Sequence, residues 1–91
     1  MELIMTYEDM QKTVKALIVD NLCCNEDAVI EKADLIEDLG CDELDVIELI
    51  MGLEEEFGIV ISEAEGSTLL TVGDIYRLMV QRKMCSAPEK D

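Results

Sequence analysis

Carboxylates and thiols are the side chains of this sequence that could do chemistry, since it holds 22 acidic residues and four cysteines but no histidine. Without histidine there is no Ser-His or Cys-His pair to activate a nucleophile. No phosphate-binding loop of the GxxxxGK[ST] or GxGxxG type occurs either. We therefore predict no catalytic residues and a protein that is not an enzyme.

The four cysteines do not have the spacing of a metal site. No C-x-x-C pair occurs, and Cys23 and Cys24 are adjacent, so we expect reduced thiols. Cys41 stands before a predicted helix start, which would lower its pKa, but the acids around it act in the opposite direction, so we predict an unreactive thiol. With no secretory signal and no apolar run of about 20 residues, we expect a cytoplasmic protein without a membrane span.

Acidic residues gather between positions 34 and 48, which raises the question of a cation site. The stretch fails the EF-hand pattern, because counting back from Gly40 puts Leu35 at the first ligand position. We expect no specific metal site. Weak, screened attraction of divalent cations is expected at most, at Glu37, Asp38, Asp42 and Glu48.

The pattern from Asp42 to about Phe57 predicts an amphipathic helix. Asp42 is the predicted N-cap, with Asp45 as its capping-box partner, and Glu43 stands at the first helical position, where a carboxylate is favoured. One apolar stripe has the spacing of a surface that faces a core. Its members are Val46, Leu49, Ile50, Leu53 and Phe57.

A second stripe on the same helix is expected to face outward and bind a partner. It comprises Leu44, Ile47 and Met51, set among Glu48 and Glu55. Such a surface offers apolar area for affinity and acids for steering a basic protein. The net charge of −15 argues against nucleic acid. No basic residue occurs between Lys32 and Arg77, an interval that contains 13 of the 22 acids, so the acidic side of the molecule is expected to dock Lys/Arg-rich proteins.

Apolar spacing and capping pairs predict three more helices, of which the middle one is short. The pairs are Thr6–Asp9, Ser62–Glu65 and Thr71–Asp74. A long connection from about Leu22 to Asp38 is expected to pack through apolar anchors, namely Val29, Ile30, Leu35, Ile36 and Leu39. We predict an all-α fold, a small four-helix bundle with three main helices, one short helix and a long first loop. Residues 1–5 are expected to form a frayed leader, 6–84 one monomeric helical domain and 85–91 a disordered tail.

The segment ADLIEDLGCDELDVIELIMGLEEEFGIVI, followed by TVGDIYRLM, resembles the acyl carrier proteins of fatty-acid and polyketide synthesis. The resemblance runs from about Tyr7 to Met84 and centres on the family signature D-S-L, whose serine carries 4′-phosphopantetheine. That triplet reads Asp42-Glu43-Leu44 here, so the prosthetic-group position is occupied by Glu43 and no cofactor is expected. Serine at this position would imply 4′-phosphopantetheine.

The resemblance also implies an acyl-carrier-type bundle and partners among basic-surfaced synthases, acyltransferases, ligases or transferases. Partner contacts are implied at Asp42, Leu44, Glu48, Met51, Glu54 and Glu55, to which the outward stripe adds Ile47.

Three hypotheses follow from the missing serine. The chain is a natural, non-carrying scaffold, regulator or subunit of acyl metabolism, or an ordinary carrier whose serine has been replaced deliberately. In the third hypothesis it is a divergent interaction module outside acyl metabolism.

Overall fold

The structure is a computed structural model that describes residues 5–22 and 24–86. Its described part is helical, and the two β-bridges, Met5 with Cys85 and Asp34 with Thr71, are isolated and belong to no strand. The helices are α1 (Tyr7–Leu22), α2 (Glu43–Phe57), α3 (Glu63–Gly66) and α4 (Val72–Gln81), with a 3-10 turn at Glu26–Ala28 between α1 and α2. The predicted all-α bundle with one short helix is confirmed; the 3-10 turn in the long connection was not predicted.

Helix starts follow the predicted capping pairs. Reciprocal capping boxes begin α2, α3 and α4, and the Thr6 hydroxyl accepts the Asp9 amide at 3.0 Å before α1. These bonds satisfy backbone N–H groups that have no acceptor inside the helix. Gly58 ends α2 in a left-handed conformation (φ 65°), as its position predicts.

The core lies where α1 packs against α2 and α4. In α2 the inner stripe is buried at Leu49 and Leu53, while Val46, Ile50 and Phe57 pack against the core with part of their surface exposed. Aliphatic side chains and one tyrosine supply the fully buried volume from the other helices: Met10, Val14, Ile18, Val72, Ile75, Tyr76 and Met79.

The long connection crosses the start of α4 and is bonded to it. The amides of Val72 and Gly73 donate to the carbonyls of Ala33 (3.1 Å) and Glu31 (2.9 Å), so the loop accepts two N–H groups from the first turn of α4. The buried anchors are Val29, Leu35 and Leu39. The prediction was wrong for Ile30 and Ile36, which are exposed, because these loop segments have no second layer to cover both of their sides.

The two ends of the described chain meet. Met5 pairs with Cys85, the Ser86 amide donates to the Met5 carbonyl at 3.0 Å, and Cys85 is buried. Ordered packing therefore includes Met5 from the expected leader, and Cys85 and Ser86 from the expected tail. Residues 1–4 and 87–91 of those two segments lie outside the described residues.

Cys41 is buried in the connection just before α2, and its amide donates to the Leu35 carbonyl at 3.0 Å. Burial is the main cause, and the carboxylates of Asp45 and Asp42 are lesser causes, of a rise in the pKa of its thiol from 9.0 to about 11. Cys24, Cys41 and Cys85 are all free thiols. The prediction that the helix N-terminus does not activate Cys41 agrees with this direction of shift.

Two glycines of the α2 region should respond in opposite ways to alanine. Gly58→Ala places a Cβ at a positive φ and should lower the free energy of unfolding by about 1 kcal/mol. Gly52→Ala adds a Cβ at ordinary contact distance, 3.6 Å, from the Leu17 side chain and should raise it by about 0.5 kcal/mol through helix propensity. Urea unfolding followed by circular dichroism measures both; a destabilised Gly52→Ala would contradict the packing of α1 on α2.

Alkylation should separate the thiols of the folded chain. At pH 8, Cys41 should react with iodoacetamide much more slowly than the partly exposed Cys24, because it is buried and its thiol pKa is about 11. Peptide mass mapping of timed samples gives the order of labelling. In urea all four cysteines should react at similar rates, and equal labelling of Cys41 and Cys24 in the folded chain would contradict the burial of Cys41.

Candidate docking surface and groove

The start of α2 presents a free carboxylate. The Asp42 Oδ1 accepts the Asp45 amide at 2.9 Å, and the Asp45 Oδ2 accepts the Asp42 amide at 3.1 Å, so both acids are used in the cap. Glu43, the first residue of α2, is exposed, and its side chain makes no hydrogen bond with the described residues. Its charge is compatible with the positive end of the helix dipole. Favourable helix electrostatics alone can therefore account for a glutamate at this position, without any functional role.

The outward stripe of α2 is exposed as predicted. The exposed fractions are 69% for Leu44, 52% for Ile47 and 59% for Met51, and the neighbouring Glu48 and Glu55 are exposed as well. Large apolar side chains and carboxylates thus share one helix face. Partner binding by this face stays a prediction.

Glu54 differs from the other acids of the expected partner surface. It is partly buried, and its Oε2 accepts the Ile61 amide at 2.7 Å while its carbonyl accepts the Ile59 amide at 3.1 Å. Glu54 therefore holds the segment after α2 against the helix. A partner that binds this carboxylate would have to share it with the Ile61 amide. The Glu48 and Glu55 side chains, in contrast, have no hydrogen bond to the described residues.

A groove of about 650 Å³ lies beside Glu43, between α2 on one side and the loop around Leu35 and the α3 region on the other. Its size is within the range of small-molecule sites. The lining residues are mainly apolar with an acidic minority: Asp34, Leu35, Ile36, Glu43, Val46, Ile47, Ile50, Met51, Glu54, Ile61, Ser62, Glu63, Gly66, Ser67, Leu69 and Leu70.

Sequence reasoning missed the far wall of this groove. Ile36 was expected to be a buried anchor, and neither Leu70 nor Glu63 was singled out, because none belongs to a helical stripe that faces α2. The apolar pair Leu69-Leu70 before the last helix could have indicated this wall. Leu69 is buried in the core, and Leu70 is exposed.

The short helix α3 is held in place by Arg82, which follows α4. The Arg82 Nη2 donates to the Val60 carbonyl at 2.8 Å and to the Glu65 Oε1 at 2.5 Å. The backbone hydrogen bond from Ser62 and then the Arg82 guanidinium lower the pKa of the Glu65 carboxyl. A four-residue helix has little stability of its own, so this clamp and the capping box fix one wall of the groove.

The described residues contain no group of three or more His, Cys, Asp or Glu side chains arranged to hold a metal ion. Asp38 instead accepts the Asp34 amide at 2.8 Å, and Asp42 is used in the helix cap. Weak cation attraction at Glu37, Asp38, Asp42 and Glu48 stays a prediction. Among the described helices, none is both long and apolar enough to cross a membrane.

The three serines of the sequence lie away from the start of α2. Ser62 caps α3, Ser67 donates its hydroxyl to the Ala64 carbonyl at 2.8 Å, and Ser86 is the last described residue. None of the three lies between an aspartate and a leucine at a helix start.

Comparisons with known proteins fit this architecture. The family model described as "Phosphopantetheine attachment site" matches residues 12–79, a range that contains all of α2. A solved structure described as a "putative acyl carrier protein" from Mycobacterium tuberculosis is similar, with 33% sequence identity and a TM-score of 0.75. The match covers 80% of this chain and 97% of that one. This chain therefore belongs to the phosphopantetheine-binding acyl carrier family, whose members are carrier domains and not enzymes.

Proposed function

We propose that this chain is a non-carrying acyl carrier-type module that docks enzymes of fatty-acid or polyketide-type acyl metabolism through α2. The observation that carries the proposal is the sequence Asp42-Glu43-Leu44 at the start of α2 in a member of this family. An exposed carboxylate stands there, beside an outward face that combines carboxylates with exposed apolar side chains. The role that fits is a scaffold, a regulator or a subunit in the cytoplasm.

The chemistry of attachment is the reason for the non-carrying role. The family's serine forms a phosphodiester through its hydroxyl oxygen, and the arm that it bears ends in the thiol that holds the acyl group. A glutamate carboxylate cannot form that phosphodiester. The residues of this chain therefore do not fit the prosthetic group at position 43, and no step of its function is expected to use it.

The charge distribution supports docking to basic enzymes. Leu44, Ile47 and Met51 can be desolvated by a partner, while Glu48 and Glu55 attract lysine and arginine and orient the encounter. Asp42 is expected at the edge of the contact. Glu54 is expected to contribute through the part of its carboxylate that does not accept the Ile61 amide, since that bond uses the Oε2 atom. Exposed charges of this kind mainly set the association rate, so the interaction should weaken with salt.

A second candidate is the ordinary 4′-phosphopantetheine carrier whose serine has been replaced. It is favoured by the apolar groove beside Glu43, since a volume of about 650 Å³ lined by aliphatic side chains suits an acyl chain. In that case Glu43 alone disables the carrier.

Restoring the serine tests both candidates. The protein and its Glu43→Ser and Glu43→Ala variants would each be incubated with coenzyme A, Mg²⁺ and a broad-specificity phosphopantetheinyl transferase, and intact mass would be measured. We expect the arm's mass on Glu43→Ser alone.

Each other result of that experiment has a defined meaning. Modification of the unaltered chain or of Glu43→Ala would place the arm on another residue and overturn the proposal. If no variant is modified, the transferase does not recognise this surface, and a divergent interaction module outside acyl metabolism becomes the better account.

Charge reversal tests the docking face without reference to the serine. Glu48→Lys and Glu55→Lys should each weaken binding of the same transferase about 3- to 10-fold at low salt, with helicity unchanged. Glu26→Lys is the matched control, because Glu26 is exposed on the 3-10 turn, outside α2. Equal affinities for all three variants and the unaltered protein would remove the docking claim.

A further inference from the structure

We propose that Cys24 and Cys41 are a redox-active pair that joins the end of α1 to the start of α2 by a disulfide when oxidised glutathione or a similar small disulfide is in excess. In the structure both are free thiols, which is the reduced state of the pair. Disulfides of this transient kind are the ones found in reducing compartments. The inference goes beyond the proposed function, because neither thiol takes part in docking or in acyl attachment.

The start of α2 and the start of α4 lie at the same end of the bundle. The Cys41 amide, just before α2, donates to the Leu35 carbonyl at 3.0 Å. The Leu35 amide in turn donates at 2.9 Å to the carbonyl of Leu70, which stands two residues before α4. One loop residue is therefore bonded to both segments, and it places Cys41 at the end of the bundle where α4 begins.

The helix α1 runs in the opposite direction and brings Cys24 to that same end. Its start is next to the end of α4, since Met5 pairs with Cys85 and its carbonyl accepts the Ser86 amide. From there α1 packs along α4 and α2, and its 16 residues exceed the 10 of α4. The end of α1 therefore reaches the end of the bundle where α2 and α4 begin. Cys24 stands two residues beyond the last residue of α1, Leu22.

Burial and charge place the two thiols in one local environment. Cys41 belongs to the buried core, and Cys24 packs against that core with part of its surface exposed. Burial is the first cause of the raised pKa of the Cys41 thiol, the carboxylates at the start of α2 follow, and negative charge on Cys24 is the last. A charge on a partly exposed group acts over a short distance, because water and salt screen it. The two side chains are therefore neighbours.

The difference in exposure gives the two thiols different roles. Cys24 is the one that a dissolved oxidant can reach: it loses its proton, attacks one sulfur of oxidised glutathione and displaces one glutathione thiolate, which leaves a mixed disulfide. Cys41 then loses its proton and attacks the Cys24 sulfur, and the second glutathione leaves. Two protein thiols are thus oxidised to one disulfide while one glutathione disulfide is reduced to two glutathione molecules. Because the pKa of the Cys41 thiol is about 11, the second step should be the slower one.

The bridge would enclose residues 24–41 in one covalent ring. That ring contains the 3-10 turn and the loop carbonyls that accept the amides of the first turn of α4. A cross-link lowers the conformational entropy of the unfolded chain, so the oxidised protein should be more stable than the reduced one. Cys24 and Asn25 belong to neither α1 nor the 3-10 turn, which leaves this short segment able to adjust to the geometry of a disulfide.

The test uses the full chain and matched cysteine variants. The unaltered protein, Cys24→Ala and Cys41→Ala are incubated at pH 8 with mixtures of reduced and oxidised glutathione, and timed samples are quenched with N-ethylmaleimide and digested with trypsin. Cleavage after lysine and arginine puts Cys24 and Cys41 in different peptides. Cys23→Ala assigns the bridge, because Cys23 shares a peptide with Cys24, and Cys85→Ala is the control from the opposite end of the bundle.

We expect a glutathione adduct on Cys24 first and then a cross-linked Cys24–Cys41 peptide, in the unaltered chain and equally in Cys23→Ala and Cys85→Ala. Cys41→Ala should stop at the adduct, and Cys24→Ala should keep Cys41 free. Unfolding by urea, followed by circular dichroism, should have a midpoint about 1 to 2 M higher for the oxidised than for the reduced protein.

Three results would overturn the proposal. They are a free Cys41 in the folded chain after Cys24 has been oxidised, a bridge that forms only in urea, and loss of the cross-linked peptide in Cys23→Ala. If circular dichroism shows that Cys41→Ala is unfolded, the unaltered chain and Cys24→Ala still decide the question, because the Cys24 side chain is partly exposed. None of these results bears on the transferase experiments with Glu43→Ser and Glu48→Lys, so the two proposals can fail separately.

Discussion

The reciprocal hydrogen bonds between Asp42 and Asp45 are the constraint on which the rest of the site depends. They fix the start of α2 at Glu43, and along the helix 3.6 residues per turn place Leu49 and Leu53 on one face and Leu44 and Ile47 on another. Leu49 and Leu53 then face the core, while Leu44 and Ile47 face outward. The same cap leaves the Glu43 carboxylate exposed at the first helical position, without a hydrogen bond to the described residues.

Backbone hydrogen bonds from the long connection organise the second half of the molecule. The loop accepts N–H groups from the first turn of α4, and the Leu35 amide donates to the Leu70 carbonyl at 2.9 Å. These bonds bring Ile36 and Leu70 to the groove. Arg82 closes the arrangement by bonding α3 and the preceding segment to the end of α4. The groove wall is therefore built from segments that are short, irregular and far apart in sequence.

The net charge of −15 gives the protein a large excess of carboxylates over basic side chains. Repulsion among the carboxylates opposes compaction. The ion pairs among the described residues lie at α3 and α4, where Arg82 pairs with Glu65 and Arg77 pairs with Asp74. The face of α2 has no cation of its own nearby in sequence. The carboxylates on this face and in the groove therefore have no basic residue between Lys32 and Arg77 to balance them.

The sequence by itself determined the helices, their caps and the exposure of the outer α2 stripe, because capping pairs and 3.6-residue periodicity act between residues close in the chain. It also determined the family, since the resemblance was evident from about Tyr7 to Met84 and the family model matches residues 12–79. The tertiary structure alone decided that Ile36 is exposed, that Glu54 bonds Ile61, and that Met5 meets Cys85. The position and the lining of the groove were likewise decided by the tertiary structure. Such outcomes depend on which distant segments pack together, and local pattern contains no information on long-range backbone bonds between irregular segments.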